Sequence, residues 1–116
     1  MTFGNYIRQT RVILCEKDKK YSLRQTAQRV GVEPAYLSKV ERDEVAPPSE
    51  STIQRLAKDL DIDADVLLAM AGKVSRDLQD IIRQRPQLFA DLIRQLKNTP
   101  DKAVLRIVRE IRDGHW

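Results

Sequence analysis

Few side chains in this sequence could make or break a covalent bond. Its one histidine, His115, stands near the C-terminal end, and its one cysteine, Cys15, has no basic residue or second thiol beside it. The acidic residues do not fall at metal-ligand spacings, so neither catalysis, a bound metal nor a cofactor is expected. Packing is the expected role of Cys15. The chemistry left is hydrogen bonding and charge. Lys39 can donate, Glu33 can accept, and Pro34 or Ala35 can make apolar contact with an outside partner. Arg24 and Arg42 stand nearby with side chains suited to phosphate.

Composition agrees with a binding role. A chain of 116 residues with 41% apolar and 33% charged residues builds one helical core, or a small domain with an appendage, but not two enzyme domains. Residues 1–42 hold nine Lys or Arg against four acids, whereas 43–72 hold two against seven. Positive charge concentrated at one end attracts a polyanion, although a solvated face would also account for it. No stretch approaches the roughly 18 apolar residues of a membrane span, and no apolar start precedes a cleavage signal. The cytoplasm is the expected compartment.

The elements that must position these groups follow from apolar spacing. Phe3, Tyr6, Ile7, Thr10, Ile13 and Leu14 predict a first helix over about 3–15, and the charged run 16–20 predicts an exposed loop. Ser22 with Gln25 forms a capping-box pattern before Leu23, Ala27 and Val30, ending near Gly31. Glu33 then caps a third helix with Pro34 as its first residue and Leu37 and Val40 behind it. Pro47-Pro48 closes that segment. Ser49 or Ser51 starts a fourth helix with Ile53, Leu56, Ala57 and Leu60, and Asp63 a fifth with Val66, Leu67 and Met70 before Gly72.

Beyond Gly72, Ser75 opens a helix with Leu78, Ile81 and Ile82, and Pro86 another with Leu88, Phe89, Leu92, Ile93 and Leu96. Thr99-Pro100 caps and starts a last one with Val104, Ile107, Val108 and Ile111. The expected fold is therefore all-α, with five helices in residues 1–72 and a helical extension of two or three helices in 73–116.

Helix pairs occur in many proteins that never touch nucleic acid, so spacing decides the reading of residues 22–42. Ala27 keeps the two helices close, Gly31 permits the turn, and Leu37 and Val40 anchor the second helix from behind. The sequence here resembles the lambda-repressor-like, or Xre, family of helix-turn-helix regulators over about residues 3–72. The resemblance rests on Arg8-Gln9-Thr10-Arg11, on SLRQTAQRVGVEPAYLSKVER from Ser22 to Arg42, and on PPSESTIQRLAKDLDIDADVLL from Pro47 to Leu68.

That resemblance implies a recognition helix lying in the DNA major groove, with Glu33, Pro34, Ala35, Ser38 and Lys39 at the base-reading positions. Phosphate contacts are expected from the backbone at Leu23 and Arg24, from Arg42, and from Tyr36 unless its ring only edges the core. Lys17, Lys19 and Lys20 either join them or merely solvate a loop. The resemblance further implies an ion pair between Arg11 and Glu41 bracing the recognition helix. Three positions depart from the family pattern. Asp43 replaces a Gly, so it either takes the left-handed conformation or the helix ends differently. Leu23 replaces a frequent Gln, and the segment from Cys15 to Tyr21 is long.

The expected function is sequence-specific binding of double-stranded DNA and transcriptional regulation, with repression by a homodimer on a palindromic operator. Leu88, Phe89, Leu92, Ile93, Leu96, Val104, Ile107, Val108 and Ile111 supply stripes for the dimer, or fold back to finish the monomer core. An antitoxin-like regulator, whose C-terminal helices bind a different protein, is the alternative. Trp116 either packs at an interface or hangs free.

Overall fold

The computed structural model describes residues 1–114, and His115 and Trp116 lie outside the described residues. Met1–Ser75 and Arg76–Trp116 form two separate compact units. Eight α-helices and one short 3₁₀ turn make up the described residues, without a strand. The first unit holds α1 (Phe3–Lys17), the 3₁₀ turn Lys19–Tyr21, α2 (Leu23–Val30), α3 (Pro34–Glu41), α4 (Glu50–Leu60) and α5 (Ala64–Met70). The second holds α6 (Arg76–Gln84), α7 (Pro86–Leu96) and α8 (Asp101–Asp113).

Each start in the first unit has a local cause. The side chains of Thr2, Ser22, Ser49 and Asp63 accept first-turn amides of α1, α2, α4 and α5, satisfying donors that no helical carbonyl reaches. Pro34 and Pro86 occupy the opening turns of α3 and α7, where the missing amide costs nothing. The last helix begins one residue later than its sequence suggests. Pro100 is extended and serves as the cap, and the Thr99 hydroxyl instead donates back to Gln95 O at 2.5 Å.

The core joins Phe3 and Ile7 of α1, Ala27 and Val30 of α2, Leu37 and Val40 of α3, and Ile53, Leu56, Ala57 and Leu60 of α4, with Leu67 and Leu68 of α5. Helix α1 packs on α3 and α4, α2 on α3 and α4, and α4 on α5. Two expectations fail in detail. Ile13 is 59% exposed, because it lies about 240° around the helix from Ile7 and so points away from the stripe through Phe3, Ile7 and Arg11. Val66 is half exposed, its place in the core taken by Leu68. The charged run 16–20 is also not a plain loop: α1 continues to Lys17, and Asp18 caps the 3₁₀ turn by accepting from Lys20 N at 3.0 Å.

Helix ends repeat one device. Gly31 (φ 85°), Asp43 (φ 57°) and Asp61 (φ 56°) are all left-handed. In each case the following amide reaches back five residues, from Val32 N to Ala27 O, Glu44 N to Lys39 O, and Ile62 N to Ala57 O, at 2.8–3.0 Å. This Schellman closure satisfies carbonyls that would otherwise end a helix unpaired. Asp43 thus takes the left-handed alternative, and its side chain explains why a residue other than Gly stands there. Its carboxylate accepts from Gly4 N at 3.0 Å and from the Thr2 hydroxyl at 2.5 Å. A negative charge is thereby placed on the N-terminal end of α1, where the helix dipole favours it.

Gly4 is the partner of this arrangement. A Cβ there would overlap the Val40 carbonyl oxygen and come within 2.6 Å of Asp43 Oδ1 and 2.9 Å of Glu41 O, so α1 approaches α3 only because position 4 has no side chain. Urea unfolding of Asp43→Ala should show a loss of about 2 kcal/mol, combining a lost cap with left-handed strain. Asp43→Gly, which loses the cap alone, should lose less. Equal losses would show that the carboxylate, and not the backbone conformation, accounts for the whole effect.

Candidate nucleic-acid interface

Helix α3 divides cleanly into two sides. Leu37, Val40 and Glu41 are buried, whereas Ala35 and Lys39 are exposed and Ser38 is half-buried. The latter three stand at i, i+3 and i+4 and so line up along one face. Exposed Glu33 and half-buried Pro34 extend this strip to the helix start. Glu33 occupies the capping position without a side-chain capping bond, which leaves its carboxylate available to an outside donor. Tyr36 lies beside the strip at 36% exposure.

The flanking positions differ among themselves. Arg24 is exposed in the first turn of α2, where the amides of Leu23 and Arg24 precede the first amide bonded by Ser22, that of Gln25 at 3.3 Å. The Leu23 side chain packs against the core, so only its backbone can serve an outside acceptor. Arg42 is exposed but not idle. Its Nε donates to Ser38 O at 3.3 Å and its Nη1 pairs with Glu44 at 2.9 Å. Such an exposed pair is weak and screened by salt, so a phosphate can replace the carboxylate.

Behind α3, Arg11 Nε donates to Glu41 Oε2 at 2.7 Å and Nη2 donates to Glu41 Oε1 at 2.9 Å. Arg11 Nη1 donates to Tyr21 O at 3.1 Å. One guanidinium therefore joins α1, α3 and the turn that leads into α2. The bonds to Glu41, opposed by burial, hold Arg11 above the usual arginine range. Because its folded value is raised, the stabilisation from Arg11 ionisation is complete below the ordinary arginine range and is lost only as pH rises through the raised value. The Arg11 guanidinium is consequently charged throughout the neutral range.

A second clasp was not legible in the sequence. Arg29 of α2 holds Asp59 of α4 bidentately at 2.7 and 3.0 Å, and Arg55 of α4 donates from Nε to Val30 O at 2.8 Å. The partners lie some thirty residues apart, and charged residues on two amphipathic helices have many pairings that spacing alone cannot rank. Lys73 adds a third tie, donating to Pro48 O at 2.7 Å and holding the segment between α3 and α4. Among the described residues no group of three or more His, Cys, Asp or Glu could hold a metal, and no helix is long and apolar enough to cross a membrane.

Short helices joined by a tight left-handed turn, one of them buried behind and polar in front, define the helix-turn-helix class. Residues 14–67 match the family model described as Helix-turn-helix. An uncharacterized HTH-type transcriptional regulator of Mycobacterium tuberculosis, in two strains, is 39% identical over 69 residues, which is 60% of this chain. The chain spans 45% of the length of those relatives. A chain from a solved SinR protein/SinI protein complex has a TM-score of 0.48 and 25% identity, covering 84% of this chain and 100% of that one. Residues 14–67 are thus similar to the helix-turn-helix family, in keeping with the resemblance to lambda-repressor-like, or Xre, regulators.

Removing one side of the Arg11–Glu41 pair strands a buried charge. Arg11→Ala should lower the unfolding free energy by about 3–5 kcal/mol, whereas Arg11→Met combined with Glu41→Leu should recover more than half of that loss. Urea titrations of the two variants beside the parent chain check this. A double variant as unstable as the single one would show that shape, and not charge compensation, governs the site.

Proposed function

We propose that this chain binds double-stranded DNA in a sequence-specific manner and regulates transcription, acting as a repressor by occupying promoter DNA. The observation that carries the reading is the two-sidedness of α3. Its rear is buried and braced by Arg11, while Ala35, Ser38 and Lys39, with Glu33 and Pro34 at the helix start, face outward with no competing side-chain bond among the described residues. A helix held rigidly from behind presents a fixed set of donors, acceptors and methyl contacts to base edges. In this reading Glu33, Pro34, Ala35, Ser38 and Lys39 read bases. Phosphates are held by the amides of Leu23 and Arg24, the Arg24 and Arg42 guanidinium groups, and the Tyr36 hydroxyl.

The second unit supports action as a homodimer. None of the residues of α6, α7 or α8 is buried, and Leu88, Ile93 and Ile111 are 68%, 58% and 62% exposed. Leu92, Ile107 and Val108 are also exposed, with Phe89, Leu96 and Val104 half-buried. Apolar burial at about 25 cal/mol per Å² rewards covering such faces. A second copy of the chain is the proposed cover, which would set two reading heads on the two halves of a palindromic operator.

Three measurements test these assignments. Selection from random duplexes should enrich a palindrome. On that site Lys39→Ala should relax preference at one base pair by about 1–3 kcal/mol, while Arg42→Ala should weaken all duplexes alike and reduce the salt slope by about one. The reverse pattern would overturn the division of labour. Sedimentation of the full chain at micromolar concentration should give a dimer, and truncation after Ser75 a monomer. A stoichiometric second protein co-purifying from the native cell would instead favour the antitoxin-like alternative.

A further inference from the structure

A cleft of about 480 Å³ opens in the first unit between the 3₁₀ turn, α2 and α4, lined by Lys20, Tyr21, Arg29, Arg55, Lys58 and Asp59. Four cations share this wall with one carboxylate, and that carboxylate is already held by both arms of Arg29. The Tyr21 ring meets two of the cations, with Lys20 Nζ 5.2 Å and the Arg29 guanidinium carbon 5.3 Å from its centre. Aromatic faces attract cations, so the ring helps hold Lys20 and Arg29 close together despite their like charge.

The two guanidinium groups are fixed in place before any ligand arrives. Arg29 also donates to Lys20 O at 2.6 Å, and Arg55 uses Nε on Val30 O and Nη2 on the Thr52 hydroxyl at 3.1 Å. Arg55 Nη1 donates to nothing among the described residues, and neither Arg55 nor Lys58 meets a carboxylate there. Lys20 has only a loose exposed pairing with Asp18 at 3.8 Å. A guanidinium already held in place, flanked by two ammonium groups, matches a compact, multiply charged oxyanion, since the arginine needs little further ordering on binding.

This cleft is separate from the reading head. Arg24 and Arg29 stand five residues apart on α2, which turns their side chains about 140° from each other and separates them by about 7.5 Å along the axis. No residue of α3 and none from the first turn of α2 lines the cleft. We propose that it is a binding site for a small polyphosphorylated anion, with Arg55, Lys58 and Lys20 supplying the phosphoryl contacts and Arg29–Asp59 forming the floor. Occupancy would tie the 3₁₀ turn to α4 across α2. Because Lys20 O and Arg11's acceptor Tyr21 O belong to that same turn, a ligand there acts on the brace behind α3.

The test is titration of the full chain with sodium tripolyphosphate at constant ionic strength, followed by calorimetry. The parent chain should bind it at one saturable site per chain. Lys20→Ala combined with Lys58→Ala should weaken binding by about tenfold or more, whereas Lys97→Ala in the second unit should leave it unchanged. Far-ultraviolet circular dichroism checks that the variants are folded. In parallel, Lys58→Ala alone should weaken tripolyphosphate binding yet bind a duplex as tightly as the parent chain. Undiminished tripolyphosphate binding in the double variant would overturn the proposal. So would an equal loss of affinity for duplex in Lys58→Ala, because the cleft would then be holding DNA backbone.

Discussion

The proposed reading surface depends on a salt bridge that never touches it. Arg11 reaches through the first unit to hold Glu41 with two bonds and the carbonyl of Tyr21 with a third. The buried carboxylate would be costly alone, and the guanidinium would be costly without its acceptors; together they leave no buried side-chain polar atom unsatisfied among the described residues. Geometry matters here more than strength. A planar fork accepts a carboxylate in one orientation, so the end of α3 is placed relative to α1 and to the entry into α2 by a single group. Apolar contacts through Leu37 and Val40 hold α3 against the core but would tolerate a small rotation, which a bidentate bond resists.

The same end of α3 is held a second time by backbone and by Asp43. The left-handed turn at Asp43 closes α3, and its carboxylate closes the start of α1, so the two helices share one terminating residue. Gly4 allows this by leaving room for the Val40 carbonyl. Glu41 and Asp43 therefore engage α1 at two places, its middle at Arg11 and its start at Gly4. Two anchors about seven residues apart along α1 fix the direction of α3 as well as its position, a span of about 10 Å on a helix.

Much of this architecture could be read from the chain because its local signals agree with one another. Gly31, Pro34, Ser49 and Asp63 each stand where apolar spacing begins or stops, and the helices start accordingly. Spacing failed where a helix carries more apolar residues than its core face can use. Ile13 and Val66 fit a helical period, yet Arg11 and Leu68 take the buried places, the first because a polar pair claims the interior. Pairings between distant residues were legible only where a family pattern supplied them, as for Arg11 and Glu41. Nothing local distinguished Arg29–Asp59 or Asp43–Gly4 from other combinations, because the partners meet only after the helices have packed. The role of Asp43 was hidden for a related reason: its spacing marked a helix end, whereas its choice over Gly reflects the needs of a different helix.

In the proposed reading, the pairing of Arg42 with Glu44 bears on search as well as on binding. A carboxylate 2.9 Å from the guanidinium already occupies part of the place that a phosphate would take, so engagement with any duplex exchanges one anion for another instead of neutralising a bare charge. Under that proposal an arginine restrained in this way would contribute less to lingering on arbitrary sequence and would leave more of the discrimination to the strip on α3. With many competing sites on a chromosome, a reader gains selectivity by holding less firmly to the wrong ones.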